Sequence, residues 1–230
     1  MPDDDEPTAP PSTQYFAPRP RTRSAPQTLR FVYRGELLAF VVDRGIFASH
    51  GLDPGTALLI ENLVVERADQ VLDLGCGWGA VGIAAGKLAR EGHVVLTEVN
   101  RRAARAAEQN VERNRLLNAE VRTGPFFEPV ANDLFDVIAT NPPYRVGREN
   151  VLRILHEAPA RLRPQGRLLL VGKGSLGIRF YQEWLAAHWP GTVEVLARGS
   201  GYRVVEARRD NTTAPRELEE VSARPPLRSA

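Results

Sequence analysis

From Val71 onward the chain alternates short apolar runs with amphipathic stretches, and no other feature restricts its fold as strongly. The runs Val71–Leu74, Val94–Glu98, a short stretch near Val121, Phe135–Thr140 and Arg167–Val171 are strand-length and rich in branched side chains. Between them Ala80–Ala89, Arg101–Arg113, Glu149–Arg161 and Ile178–Ala187 carry apolar residues at helical spacing. Two more strands are expected near Val193–Leu196 and Tyr202–Ala207. Strand and helix in turn predict a doubly wound, mostly parallel, Rossmann-like α/β sheet with helices on both faces. Such sheets bind ligands at the carboxyl ends of their strands, so chemistry is sought there.

Upstream, Leu29–Tyr33 and Leu37–Val42 flank Arg34-Gly35-Glu36 and read as an N-terminal β-hairpin. Thr56 is expected to cap the next helix, with Pro54 and Gly55 as the entering turn and Leu58, Leu59, Leu63 and Val64 as its apolar face. Residues 1–28 are proline-rich with an acidic start and Arg19, Arg21 and Arg23, a composition that cannot bury enough apolar surface to order itself. They are expected to form a disordered arm. Residues 210–230, with Pro215, Pro225 and Pro226 among charges, are expected to form a flexible tail, leaving one domain at 29–209.

A 25% charged and 43% hydrophobic chain with no apolar run near the ~20 residues that span a bilayer is expected to avoid membranes. Its first residues lack the basic and apolar regions of a secretory signal, so a cytoplasmic location is expected. A single cysteine, Cys76, agrees with a reducing compartment. His50, His93, His156 and His188 lack metal-ligand spacing, and no metal is expected. The net charge of +2 permits an RNA partner without requiring one. The arginines are spread along the chain, although Arg145 and Arg148 could meet phosphate.

The segment Val71-Leu-Asp-Leu-Gly-Cys-Gly-Trp-Gly-Ala80 joins a strand to a helix through Gly75, Gly77 and Gly79, where backbone can approach a ligand closely. The glycines alone also satisfy a nicotinamide-cofactor fingerprint, and either ligand calls for an acid such as Glu98 on the ribose. Asp73 separates the two. Its carboxylate, two residues before the first glycine, would repel a pyrophosphate but favour a sulfonium and an ammonium, which points to S-adenosylmethionine. The alternative role for Asp73 is to cap the backbone amides that follow. Cys76 and Trp78 read as packed side chains.

Phe135-Asp-Val-Ile-Ala-Thr-Asn-Pro-Pro-Tyr144 is a buried strand that ends in a second informative turn. A conjugated amine is a poor nucleophile, so it must be held and its hydrogens accepted. Asn141 offers a side-chain carbonyl and Pro142 a main-chain carbonyl, with Pro143 stiffening the geometry. Tyr144 can stack on a flat acceptor. A plain turn closing the strand is the alternative.

With these motifs the chain resembles the class I methyltransferases that carry Asn-Pro-Pro-Tyr, and within them the small-domain group typified by RsmC-like ribosomal RNA guanine methyltransferases. The resemblance runs over 29–208 and includes Gly45-Ile-Phe-Ala-Ser-His-Gly-Leu-Asp-Pro-Gly-Thr56 and Gly201-Tyr-Arg-Val-Val205. It implies a seven-stranded sheet and methyl transfer from S-adenosylmethionine to guanine N2 of ribosomal RNA. It assigns Asp73, Gly75, Cys76, Gly77, Glu98, Val99, Phe126 and Asn141 to the cofactor, Asp53, Gly55 and Thr56 to its methionine end, and Asn141, Pro142, Pro143 and Tyr144 to catalysis. Ala48 stands where the group often has serine, and Pro125 where it has an acid near the adenine. An upstream domain common in the group is expected to be replaced here by a short arm. Adenine N6, a protein glutamine, or a non-catalytic cofactor-binding role remain alternatives.

Overall fold

The computed structural model describes residues 25–43 and 51–211. Most of the expected arm and tail, and positions 44–50 with Ala48 and His50, lie outside the described residues. Two strands, β1 (Gln27–Tyr33) and β2 (Glu36–Val42), form the hairpin. Then come α1 (Pro54–Glu61), β3 (Gln70–Leu74), α2 (Ala80–Leu88), β4 (His93–Glu98), α3 (Arg101–Arg113), β5 (Ala119–Thr123) and β6 (Phe135–Thr140). The chain continues with α4 (Arg148–Glu157), β7 (Leu162–Lys173), α5 (Ile178–His188), β8 (Gly191–Gly199) and β9 (Tyr202–Arg209). Seven strands form one sheet in the order β5-β4-β3-β6-β7-β9-β8, parallel except that β9 runs antiparallel between β7 and β8.

Side-chain alternation divides the interior into two layers. Val71 of β3, Val94 and Leu96 of β4, and Val137 and Ala139 of β6 face the hairpin and α1 to α3. Leu72, Leu74, Val95 and Ile138 face the opposite layer, where α4 and α5 contribute Leu152, Leu155, Tyr181 and Leu185. Both faces are therefore covered, as near-continuous apolar strands require. Asp73 shares the face of Val71, which turns it toward α2. Among the described residues no helix is long and apolar enough to cross a membrane.

The hairpin is not part of the sheet and is held by α3. Asn110 accepts from the Val41 amide and donates to its carbonyl at 2.6 and 2.9 Å, and Asn114 does the same for Ala39 at 3.1 and 2.9 Å. Four residues apart on one helical face, the two carboxamides act as a substitute strand for the edge of β2. Phe40 then packs edge-on against Trp78, with ring centroids 4.8 Å apart.

Several expectations need correction. Asp53, not Thr56, caps α1, accepting from the Thr56 amide at 3.0 Å, and Pro54 occupies the first turn, where its missing N–H costs nothing. The helix ends at Glu61, so Val64 falls beyond it and is 49% exposed. α4 stops at Glu157, and a 3-10 turn with Pro159 carries the chain to Arg161. β1 begins at Gln27, so Gln27 and Thr28 pair with Val42 and Val41 rather than belonging to the arm.

Candidate active site

Two loops leave neighbouring parallel strands at the same edge of the sheet. Asp73 pairs in register with Ala139, and the Thr140 hydroxyl donates to the Leu74 carbonyl at 2.9 Å, immediately before Gly75. The glycine turn and Asn141-Pro142-Pro143-Tyr144 therefore lie side by side.

The glycine turn is built from backbone. Gly75, Gly77 and Gly79 all adopt positive φ, at 73°, 58° and 90°, where other residues are strained. Gly75 and Cys76 donate their amides to the Thr97 carbonyl at 3.0 and 2.9 Å, and Glu98 accepts from the Gly77 and Asn100 amides, both at 2.8 Å. Asp73, 2% exposed, accepts from the Gly82 amide of α2 at 2.7 Å. The amide-capping role is thus present in the structure, and it commits one of the two carboxylate oxygens. Burial pushes the Asp73 carboxyl up to about 7, against the Gly82 hydrogen bond and with help from the Glu98 charge. Burial also raises Glu98, opposed by the amides of Asn100, Gly77 and Val99. Cys76 is buried and its thiol is pushed well above its usual range, first by burial and then by Asp73 and Glu98, which suits packing rather than nucleophilic attack.

This turn fits S-adenosylmethionine and not a pyrophosphate. A Cβ built on Gly75 meets nothing within 4 Å, so the turn has open space above it, and both flanking acids favour positive charge. The carboxyl ends of β4 and β5 adjoin it. Gly124 donates to the Glu98 carbonyl at 3.0 Å, which draws Pro125 and Phe126 to that edge together with Val99. Phe126 holds a positive φ of 47°, and the Arg153 guanidinium covers its ring at 4.3 Å.

At the other loop the Pro142 carbonyl accepts from the Tyr144 amide at 2.8 Å, and Pro143 has φ −78° and ψ 71°. This is an inverse γ-turn, whose central φ proline supplies. The Pro142 carbonyl is therefore partly engaged and keeps one lone pair. The turn folds Tyr144 back over the sheet, where its hydroxyl donates to the Val171 carbonyl at 2.7 Å and its ring tilts against Tyr181. Gly172 makes room, because a Cβ there would overlap the Tyr144 hydroxyl.

Asn141 donates through Nδ2 to Asp53 Oδ2 at 3.1 Å and to Thr56 Oγ1 at 3.0 Å. The structure thus brings Asp53 and Thr56 to the Asn141 loop. Gly55 is buried, and a Cβ there would sit 2.5 Å from the Tyr202 ring. Tyr202, for which residue types alone suggested no role, donates to Asp53 Oδ1 at 3.2 Å. Trp78 is buried against Phe40 and forms part of the loop's support. No cluster of side chains able to hold a metal occurs among the described residues.

A seven-stranded sheet of this order, with an acid-flanked glycine turn beside Asn-Pro-Pro-Tyr, defines an S-adenosylmethionine-dependent methyltransferase. The methyltransferase small-domain profile matches residues 37–206, and the chain belongs to that family. It is 28% identical to the uncharacterized protein YbxB of Bacillus subtilis, over 86% of this chain and 99% of that one. It is 34% identical to ribosomal RNA small subunit methyltransferase C of Hahella chejuensis, over 71% of this chain and 47% of that one. Among solved structures, the T. thermophilus 16S rRNA N2 methyltransferase RsmC, in complex with AdoMet and guanosine, superposes with a TM-score of 0.70 at 28% identity, covering 81% of this chain and 51% of that chain. The chain spans about half the length of these RNA-modifying relatives.

Proposed function

We propose that the protein methylates the exocyclic amine of guanine, at N2, in ribosomal RNA. The observation that carries this reading is the orientation of Asn141. Its nitrogen faces a carboxylate, which can only accept, so Oδ1 is left to accept a hydrogen from an incoming amine. The free lone pair of the Pro142 carbonyl supplies a second acceptor, and an –NH2 group offers two hydrogens. S-adenosylmethionine would supply a sulfonium-bound methyl group open to in-line attack by the amine lone pair, the C–S bond breaking and the thioether leaving. Asp73, Gly75, Cys76, Gly77, Glu98, Val99 and Phe126 would hold it, with the second oxygen of Asp73 left for a cationic group. Asn141 and Pro142 orient the amine, and Tyr144, fixed through Val171, sets the floor on which the base rests. Orientation of this kind is worth roughly 7–11 kcal/mol of a barrier. The surplus proton leaves to solvent, and no residue is assigned as a dedicated base.

Support for an RNA acceptor comes from the activities of the two RNA-modifying relatives and from exposed Arg145, Arg148 and Lys173 at the same edge of the sheet, whose positive charge suits phosphates. Labelled-methyl transfer into total RNA, DNA and protein, followed by nucleoside analysis, tests the reading. N2-methylguanosine in the small-subunit RNA is the expected product. Label in N6-methyladenine or in protein glutamine instead would overturn the guanine assignment.

A further inference from the structure

The acceptor-site asparagine is gripped by two segments remote from it in sequence, and the grip has a definite direction. Asn141 Nδ2 donates to Thr56 Oγ1, whose own hydroxyl points at Asp53 Oδ2 at 3.4 Å, while Nδ2 also reaches that oxygen directly at 3.1 Å. Asp53 is held on both sides. Its Oδ2 accepts from the Thr56 amide at 3.0 Å and its Oδ1 from the Tyr202 hydroxyl at 3.2 Å. The Tyr202 ring lies against the start of α1 at the place where Gly55 has no Cβ. Tyr202 reaches this edge because β9 is antiparallel to β7, so the first residue of β9 pairs with Lys173 at the carboxyl end of β7.

We propose that Tyr202 and Asp53 are positioning residues for the methyl acceptor: together they fix the Asn141 carboxamide with Oδ1 alone presented to the substrate. The proposal rests on the reading that Asn141 accepts an amine hydrogen. It gives Asp53 a place distinct from the cofactor's methionine end, which the resemblance implied. A flipped carboxamide would present two N–H donors to an amine that itself donates, so orientation decides whether the site attracts or repels its substrate. Tyr202 acts one step further out, keeping Asp53 from rotating toward water. Burial, followed by the Asp53 charge, holds the Tyr202 hydroxyl above its ordinary range, and it remains a donor at neutral pH.

Asp53 also caps α1, so the test must separate capping from positioning. Asp53→Ser keeps an N-cap oxygen for the Thr56 amide but is too short to reach Asn141 and Tyr202. It should lower kcat about 100-fold, the cost of a small misplacement at a reacting centre, with the cofactor Kd within about twofold of wild type. Asp53→Asn, which retains an acceptor for Asn141 and presents a donor to the Tyr202 oxygen, should recover most of that loss. Tyr202→Phe keeps the ring on Gly55 and should lower kcat about fivefold, and should add nothing in the Asp53→Ser background because it acts through Asp53.

A readout that needs no turnover accompanies these assays. In the full-length protein the two side-chain amide protons of Asn141, assigned by their absence in Asn141→Ala, should exchange slowly with solvent in wild type and Asp53→Asn and quickly in Asp53→Ser. The proposal is overturned if Asp53→Ser keeps wild-type kcat and amide protection, or if its defect lies in cofactor Kd. Failure of the functional reading has a different signature. Asn141→Ala would then keep full turnover while, in the proteins that retain Asn141, its amide exchange still followed residue 53, and the catalytic part of the proposal would fall with it.

Discussion

The two loops at the active edge are assembled in opposite ways. The glycine loop is local and backbone-made: Asp73, Cys76, Gly77 and Glu98 lie within 26 residues, and the two acids spend three of their four oxygens on amides of Gly82, Gly77 and Asn100. The Asn141 loop is made of side chains from distant segments, with Asp53, Asn141 and Tyr202 meeting across 88 and 149 positions of sequence. A local turn can hold its shape through few neighbours. A convergent one depends on every element that feeds it, so damage at the two loops should register in different observables: affinity and its pH dependence at the first, turnover at the second.

The sharpest way to break that division is Asn141→Ala. It should lower kcat by about 10³-fold, as loss of a key orienting group does elsewhere, while cofactor Kd measured by calorimetry stays within about twofold. A large loss of cofactor affinity would dissolve the distinction. Asp73→Asn should do the reverse, weakening cofactor binding roughly 30-fold at pH 8 and changing kcat little once the site is saturated. The pH course sharpens the point. In the free protein the Asp73 carboxyl titrates at about 7, above its ordinary 3.8, so folding disfavours the charged form. Stability from this group therefore declines as pH rises from about 4 to about 7, and Asp73→Asn should be the more stable protein above that window. A cationic ligand prefers the carboxylate, so wild-type affinity should fall as pH drops below about 7, with a proton released on binding that the asparagine variant does not release.

Smaller effects follow at the supports. Gly172→Ala should push Tyr144 off the Val171 carbonyl, lowering turnover about tenfold and stability by about 1–3 kcal/mol in a denaturant titration, the usual result of overpacking. Asn110→Ala removes the carboxamide that bonds the Val41 amide and the Val41 and Trp78 carbonyls and should cost about 1–3 kcal/mol of stability while changing kcat less than threefold.

The same contrast explains what the sequence disclosed. Alternating strands and helices, the glycines at positive φ and the acids at the ends of β3 and β4 all follow from short-range pattern, and the sheet and the adjacency of the two loops were legible from it. Asp53 and Tyr202 could be picked out as parts of segments shared with a family, but their meeting could not. It depends on β9 inserting antiparallel between β7 and β8, and alternation alone does not encode that order. The cap of α1 was misplaced for a related reason. Asp53 and Thr56 are both good capping types three residues apart, and the choice between them turns on Pro54 filling the first helical turn. The clamp of Asn110 and Asn114 on β2 gave no signal, since asparagines on a helix ordinarily read as solvated.

The place of β9 also bears on when the protein becomes competent during its own synthesis. β8 is made before β9 and, among the described residues, has only β9 for a neighbour, so that pairing waits until the chain has passed Arg209. A ribosome-bound chain with everything through α5 exposed already owns its glycine turn and both of the acids beside it. The hydroxyl that steadies Asp53 arrives only with β9, so on the growing chain the residues of the glycine turn are in place before the contact between Tyr202 and Asp53 can form.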